Sequence, residues 1–440
     1  MLRPVLAASA AVMIAATTTA CGGDKPTAAD SSSPVATTAG ASDSASPVPS
    51  TSATPFDPPK KFEKTGHPVG LPGKDTPDPG QPQAYTDRTT LAGTTAVTAD
   101  KAVLYGNEVA TGVPLWSVPA VSDGEAATVS ADSSGPPVTA TFGGRTVVVA
   151  AFDEHIKGTG TNRDSERLSV HVIDPADGKL QWKADIPDVE RTERVLIDEE
   201  RGLIAVGAYT RSPVTTVIDA NTQKVLWTMP GYQLVALGKG VVATKAEVDN
   251  APYGVVGFDA RTKQVRWRAM PWKKPTTAIQ GIGGNGSFVV VSTEAYISSA
   301  SGSSSEPTTR HVVDLASGRT VTSFKGIEEA DGSQPVTCAY DGTSVLACSY
   351  NAVEAFGIDG STGRKLWSFD NTGGRVPPLL TAAFHGVLYG AAQNTTVAMD
   401  AKTGQDIGDP GTVAQTVNEY GAASYRSDYA DDVLLHAAIG

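Results

Sequence analysis

A tight turn followed at a fixed distance by a tryptophan recurs along this chain, and that recurrence limits the fold more than any other feature. Gly360-Ser361-Thr362-Gly363 leads into Trp367, and the same spacing joins the turns at 174–178, 219–223 and 259–263 to Trp182, Trp227 and Trp267. Aligned on the tryptophan, seven copies appear: Glu108 to Trp116, Asp174 to Trp182, Asp219 to Trp227, Asp259 to Trp267, Asp314 to Thr322, Asp359 to Trp367 and Asp400 to Gly408. Successive positions lie 66, 45, 40, 55, 45 and 41 residues apart. A period near 40–45 residues with two enlarged units is the length of a four-stranded propeller blade.

The segments between the motifs support strands. "RTVVVAAF", "GLIAVGAY", "SFVVVST", "SVLACSY" and "GVLYGAA" are short, β-rich and preceded by turn residues, with no helical periodicity. In each D-x-x-T-G turn, the carboxylate of Asp174, Asp219, Asp259, Asp359 or Asp400 can accept from backbone N–H groups just ahead of it. Gly178, Gly363 and Gly404 can take positive φ without strain from a Cβ, whereas Gln223 and Lys263 stand where that geometry costs about 1–2 kcal/mol. The strand that follows places an indole (Trp116, Trp182, Trp227, Trp267, Trp367) at one fixed point, where it can pack on the neighbouring sheet with its N–H on a carbonyl. Thr322 and Gly408 lack the ring, so their blades should pack less tightly.

"TVIDANTQKVLW", "FGIDGSTGRKLW" and "VAMDAKTG" resemble the repeats of the quinoprotein-type, or PQQ-like, β-propeller superfamily. The resemblance covers residues from about 85 to 440 and implies an all-β single propeller of four-stranded antiparallel blades. The motif count sets seven blades, with room for an eighth between Trp116 and Trp182. C-terminal strands from 413–440 are expected to complete the blade begun by residues 90–118, which would remove exposed sheet edges.

The N-terminus reads as an address. Arg3 precedes an apolar run over residues 5–16, too short for a membrane span, and then comes Thr18-Thr19-Ala20-Cys21. Small residues before a cysteine resemble the lipobox of bacterial lipoproteins, which implies a signal peptide over 1–20 and lipidation of Cys21. An ordinary signal peptide cut after Ala20 is the alternative. Residues 21–84, rich in Ser, Thr, Ala and Pro, are expected to form a disordered tether, because ordering them would bury too little. This organisation places the propeller on the outer face of the cytoplasmic membrane, and the Ser/Thr/Pro tether with high Ala and Gly content looks actinobacterial. Cys338 and Cys348 lie symmetrically about the Asp341-Gly342 turn, on strands expected to pair, and export makes a disulfide between them the expected state over two buried thiols.

The net charge of −12 and the lack of clustered Lys and Arg argue against nucleic acid as a partner. The six histidines show no metal-ligand spacing, and no nucleophile elbow or phosphate loop occurs. Quinone-dependent relatives would need cation ligands beside the cofactor, a general-base carboxylate and, in many cases, adjacent cysteines, and no adjacent cysteines occur here. No catalytic residue, metal or cofactor is therefore expected; a PQQ-dependent oxidoreductase is the alternative. The expected role is a monomeric, membrane-anchored binding or scaffold propeller, similar in plan to the propeller lipoproteins of barrel-assembly machinery, acting on a protein or cell-envelope partner. The enlarged units gain residues between their second and third strands, on the face opposite the D-x-x-T-G turns, and insertions of this kind often build a binding face. His155, Arg163, Arg167, Tyr253 and Tyr296 are the candidates for partner contact there; floppy polar loops are the alternative.

Overall fold

The computed structural model describes residues 53–69, 88–100, 102–121, 127–129, 135–246, 254–269, 277–284, 286–299, 302–305, 308–327, 336–370, 372–425 and 433–440. Eight antiparallel sheets follow one another along the chain. Blades 1 to 8 span residues 89–119, 127–187, 191–230, 232–269, 277–325, 337–370, 379–408 and 416–437. Apart from the extra strand of blade 2 and the outermost strand of blade 8, the four strands of each blade run in sequence order from the innermost to the outermost, and the innermost strands contact one another around the whole ring, the eighth touching the first.

Burial follows from this layering. Second and third strands lie inside a sheet that is covered on both faces by its neighbours, so they read as continuous apolar runs rather than alternating ones. Val345–Tyr350 and Pro213–Asp219 are buried at every position. Outermost strands face solvent with one side and alternate instead, as Lys365–Asp370 does. Each fully buried Val, Leu or Ile contributes about 1.5–3 kcal/mol, and these layers supply most of the core, including Val148, Val206, Val242, Val290 and Leu346.

Three expectations about the blades are corrected. The ring has eight blades, not seven. The C-terminal strands do not complete blade 1, which already has four strands of its own; Thr416–Asn418, Gly421–Tyr425 and Val433–Ala437 form a separate eighth blade. Nor does the eighth blade lie between Trp116 and Trp182. That interval is filled by an extra strand, Ala127–Val129, which pairs with the far end of Arg145–Ile156, and by a long hairpin built from Arg145–Ile156 and Ser165–Ile173.

The outermost strand of blade 8 is His67–Pro68, so residues 53–69 belong to the fold and not to a tether. They form a strap held by backbone bonds: Phe62 N–H to Pro410 O at 2.9 Å, Glu63 N–H to Ala437 O at 3.0 Å, Val69 N–H to Val433 O at 2.9 Å and Ile439 N–H to Lys61 O at 2.9 Å. The Phe62 side chain is fully buried against Tyr389, with ring centroids 5.6 Å apart. A sequence poor in large apolar groups can still be ordered when its few such groups are buried completely and its backbone polar groups are paired.

Candidate functional site

The ring has two unlike faces. Hairpins between third and fourth strands project on one, and those between second and third strands project on the other.

On the first face each motif turn is built alike. The carbonyl of the opening residue accepts from the N–H four residues on, at 2.9 Å for Asp174, 2.8 Å for Asp359 and 2.8 Å for Asp400. The side chain accepts as well: Asp359 Oδ1 takes the N–H groups of Ser361 and Thr362 at 3.0 and 2.7 Å. The Ser361 hydroxyl, and then that of Thr362, hold the Asp359 carboxyl at about 2. Burial pushes Asp259 up, but Arg266 and the Thr262 N–H outweigh it and leave it also at about 2. Gln223 and Lys263 sit at φ 60° and 61°, in the left-handed region.

These turns serve the seams between blades. The Nε1–H of Trp116, Trp227, Trp267 and Trp367 donates to Pro175, Ala260, Leu315 and Ala401 at 2.8–2.9 Å, in each case the residue just after the opening Asp of the next blade's turn. Trp182 is partly buried and packs against the core that includes Ala220 of the next turn. The ring also lies on the next turn's glycine: a Cβ on Gly178 would sit 2.6 Å from Trp116, and one on Gly404 3.0 Å from Trp367. Glycine is needed there for space as well as for positive φ.

Two features of the seams were not read from the sequence. In all seven motif blades the ladder between third and fourth strands shifts register at the residue before the tryptophan position, as between Leu180 and Trp182 or opposite Gly357 and Ile358. The bulge rotates the outer strand so that the indole turns toward the next blade, and it leaves aliphatic residues such as Leu115, Val321 and Leu366 exposed on the rim. The indole then crosses its own third strand, where Gly106, Gly257 and Gly357 pair with Trp116, Trp267 and Trp367; a Cβ there would fall 2.1–2.4 Å from the ring. The signal was present as a glycine two residues before each of these motif acids, in "YGNE", "VGFD" and "FGID". In blade 5, where Thr322 replaces the tryptophan, Phe288 lies 2.9 Å from a Cβ built on Gly363 and covers that turn.

On the opposite face, the insertion at 153–167 is the end of the blade 2 hairpin and not a loose loop, since Asp153 to Ile156 pair with Leu168 to Ser165. His155 Nδ1 lies 2.7 Å from Glu166 Oε1 and its Nε2 3.5 Å from Asp164, and the Glu166 hydrogen bond raises its pKa above the usual histidine value. Arg163 is exposed at the hairpin tip. Arg167 is instead engaged within the blade: it donates to the fully buried Glu154 and lies 3.2 Å from Asp185. A guanidinium that neutralises a buried carboxylate is part of the scaffold, because its loss would strand that charge. Tyr253 lies outside the described residues; Tyr296 pairs with Ser305 in a second extended hairpin, in blade 5, and its side chain lies outside them too. Cys338 and Cys348 face each other on paired strands of blade 6 and are joined by a disulfide. Cys21 lies outside the described residues. Among the described residues, no group of three or more His, Cys, Asp or Glu is placed to hold a metal ion.

A ring of four-stranded blades joined by turn-to-indole seams defines a PQQ-like repeat propeller. A sequence-family model described as Outer membrane protein assembly factor BamB matches residues 78–268 and again 166–407, and the chain belongs to this family. Among solved structures, the computationally designed Ika8 protein is similar at TM-score 0.50 and 14% identity, over 85% of this chain and all of that one. The C-terminal WD40 domain of Sif2 is similar at TM-score 0.50 and 9% identity, over 80% of this chain and 94% of that one. BamB from Moraxella catarrhalis aligns at TM-score 0.42 and 13% identity, over 80% and 94%. No curated protein sequence matches the chain significantly.

Proposed function

We propose that this chain is a non-enzymatic, lipid-anchored scaffold on the outer face of the cytoplasmic membrane, and that it binds a protein or cell-envelope partner through the face opposite the motif turns. The observation that carries the reading is the blade 2 hairpin. Its strands stay paired out to Ile156 and Ser165, flanked there by Ala127–Val129, and its end is held by internal charge pairs. A pre-ordered hairpin lowers the entropic cost of association. It offers His155 and Arg163 to a partner, while Arg167 fixes the base from which they project. Tyr253 and Tyr296 belong to the same proposed face. Membership of a family described by an assembly factor supports a scaffold role, and the lipobox-like residues before Cys21 support anchoring.

Proximity labelling from the chain in its native cell, repeated with residues 158–163 replaced by a two-residue turn, tests the face. The labelled partner should fall at least tenfold in recovery while the melting temperature holds, and undiminished recovery would contradict the assignment. Metabolic labelling with a fatty acid tests the anchor: label should reach the native chain and be absent from Cys21→Ala.

A further inference from the structure

The strap closes blade 8, and the contact between the two is built around an imidazole. His436 is buried on the third strand of the blade, Val433–Ala437, directly under the strap. Its Nδ1 lies 2.8 Å from the Glu63 carbonyl oxygen, and its Nε2 lies 2.8 Å from Ser424 Oγ and 3.4 Å from Thr412 Oγ1. A carbonyl can only accept, so Nδ1 carries a proton and Nε2 is left to accept from a hydroxyl. The site therefore fits the neutral ring. The strap also lies flat on that ring: a Cβ built on Gly66 would fall 2.6 Å from His436 Cε1 and 2.8 Å from Nε2.

The surroundings oppose a second proton on His436. Glu63 and His67, both on the strap, are the charged or titratable groups that act on the ring, while Ser424 and Thr412, on the blade side, offer only hydroxyls. Burial is the largest influence, His67 adds to it, and together they outweigh the Glu63 carbonyl and carboxylate, so the pKa of His436 lies below 6.5. Lifting the strap returns the ring to water, where it takes a proton more readily. Acid therefore favours the lifted form.

Little else holds this part of the strap. Its ladder to blade 8 consists of two pairs, His67 with Leu435 and Pro68 with Leu434, and one isolated bridge, Phe62 with Ala438. The Glu63–His67 ion pair, at 3.6 Å, lies between two exposed side chains and is weak. Among the described residues, no strand of blades 1 to 7 pairs with His67–Pro68, so lifting it breaks no other ladder. Segments of this kind open at a lower free energy than a core strand.

We propose that residues 62–69 are an acid-released latch: protonation of His436 lifts them from blade 8 while the other seven blades keep their ladders. The lifted latch bares the outer edge of Val433–Ala437, whose backbone groups can then pair with another extended segment. The latch is separate from the hairpin face proposed above, and neither depends on the other.

Hydrogen exchange of the full chain between about pH 7.5 and about pH 5, with each rate divided by that of an unfolded chain at the same pH, tests the latch. Protection of the Glu63 and Val69 N–H groups should fall at least tenfold across this range and return when the pH is restored, while Val345–Tyr350 of blade 6 keeps its protection. In His436→Gln the same two groups should lose less than threefold. His67→Gln keeps the Cβ and removes the charge that opposes a proton on His436, so its latch should lift only at lower pH; this exposed substitution keeps the experiment decisive where His436→Gln does not seat the strap at all. Unchanged protection of the strap in acid, simultaneous loss from the strap and Val345–Tyr350, or lifting at the native pH in both variants would overturn the proposal.

Discussion

Blades 6 and 8 reach the same four-stranded form by different routes. Blade 6 takes its strands from one contiguous stretch, is stapled by Cys338–Cys348 and is sealed to blade 7 by Trp367 on Ala401. Blade 8 has a three-residue inner strand, no motif turn and no tryptophan, and it borrows its outermost strand from His67–Pro68. Asn418 does there what a motif aspartate does elsewhere, accepting from Tyr420 and Gly421 N–H while its amide reaches Gly93 O of blade 1 at 2.7 Å. The borrowed strand itself covers the turn of blade 1 where an indole does elsewhere: a Cβ built on Gly112 would lie 2.8 Å from the His67 Cβ and 3.2 Å from the Pro68 carbonyl oxygen. The seam geometry is thus a requirement of the ring, and the repeat is one way of meeting it. Where the chain must also close on itself, the strap meets it with backbone bonds and three buried residues, Pro59, Phe62 and Val69.

The largest expected effect comes from breaking the closure. Removing residues 53–69 takes the fourth strand from blade 8 and exposes Tyr389 and Leu435, which are now fully buried. The truncated chain should unfold many degrees below the full one or aggregate, as read by scanning calorimetry, and Phe62→Ala alone should cost about 3–5 kcal/mol in denaturant unfolding. Breaking a repeated seam comes next. Trp367→Ala should cost about 3–4 kcal/mol, and Trp182→Ala about 1 kcal/mol less, because Trp182 is only partly buried and lacks the bond that Trp367 makes to Ala401. Replacing Cys338 and Cys348 together by serine should cost about 2–3 kcal/mol, the worth of closing a short loop, and hydrogen exchange should place the loss in blade 6.

Acid should separate the two regions in order. His436 of blade 8 is 2% exposed and bonds to Glu63 O at 2.8 Å and Ser424 Oγ at 2.8 Å. Burial, with His67 nearby, lowers its pKa despite the Glu63 carbonyl. The folded chain therefore holds it neutral while the unfolded chain takes up a proton. Stability is full above the ordinary histidine value of 6.5 and is lost as pH falls from there toward the folded value. His311 in blade 5, also lowered by burial, has the same sign. Asp259 and Asp359 stand at about 2, so the stability they contribute is present above the ordinary 3.8 and is lost only as pH falls through about 2. Melting temperature should decline in two stages, and His436→Gln should flatten the first. The smallest effect should be a gain: Gln223→Gly and Lys263→Gly relieve left-handed residues at motif turns and should each stabilise by about 0.5–1 kcal/mol in the same denaturant assay.

The same contrast explains what could be read from the sequence. The motif turns and their tryptophans are encoded within about ten residues and repeated, so the all-β blade, the four-strand order and the pairing of Cys338 with Cys348 were legible. The strap was not, because His67 pairs with Leu435 across the whole length of the propeller and the strap's buried residues, Pro59, Phe62 and Val69, are few and scattered. Counting motifs gave seven because the eighth blade has none. The candidate face was legible only as loop length. That Arg163 projects while Arg167 is spent on Glu154 depends on which side of the hairpin each occupies and on a carboxylate on the neighbouring strand.

Amide hydrogen exchange of residues 61–69 tests the closed ring most directly. The N–H groups of Phe62, Glu63 and Val69 should exchange as slowly as those of Val433–Ala437, and both segments should lose protection together in mild acid. Exchange of residues 61–69 at unfolded-chain rates, with Val433–Ala437 still protected, would contradict an eight-bladed ring joined by its two ends.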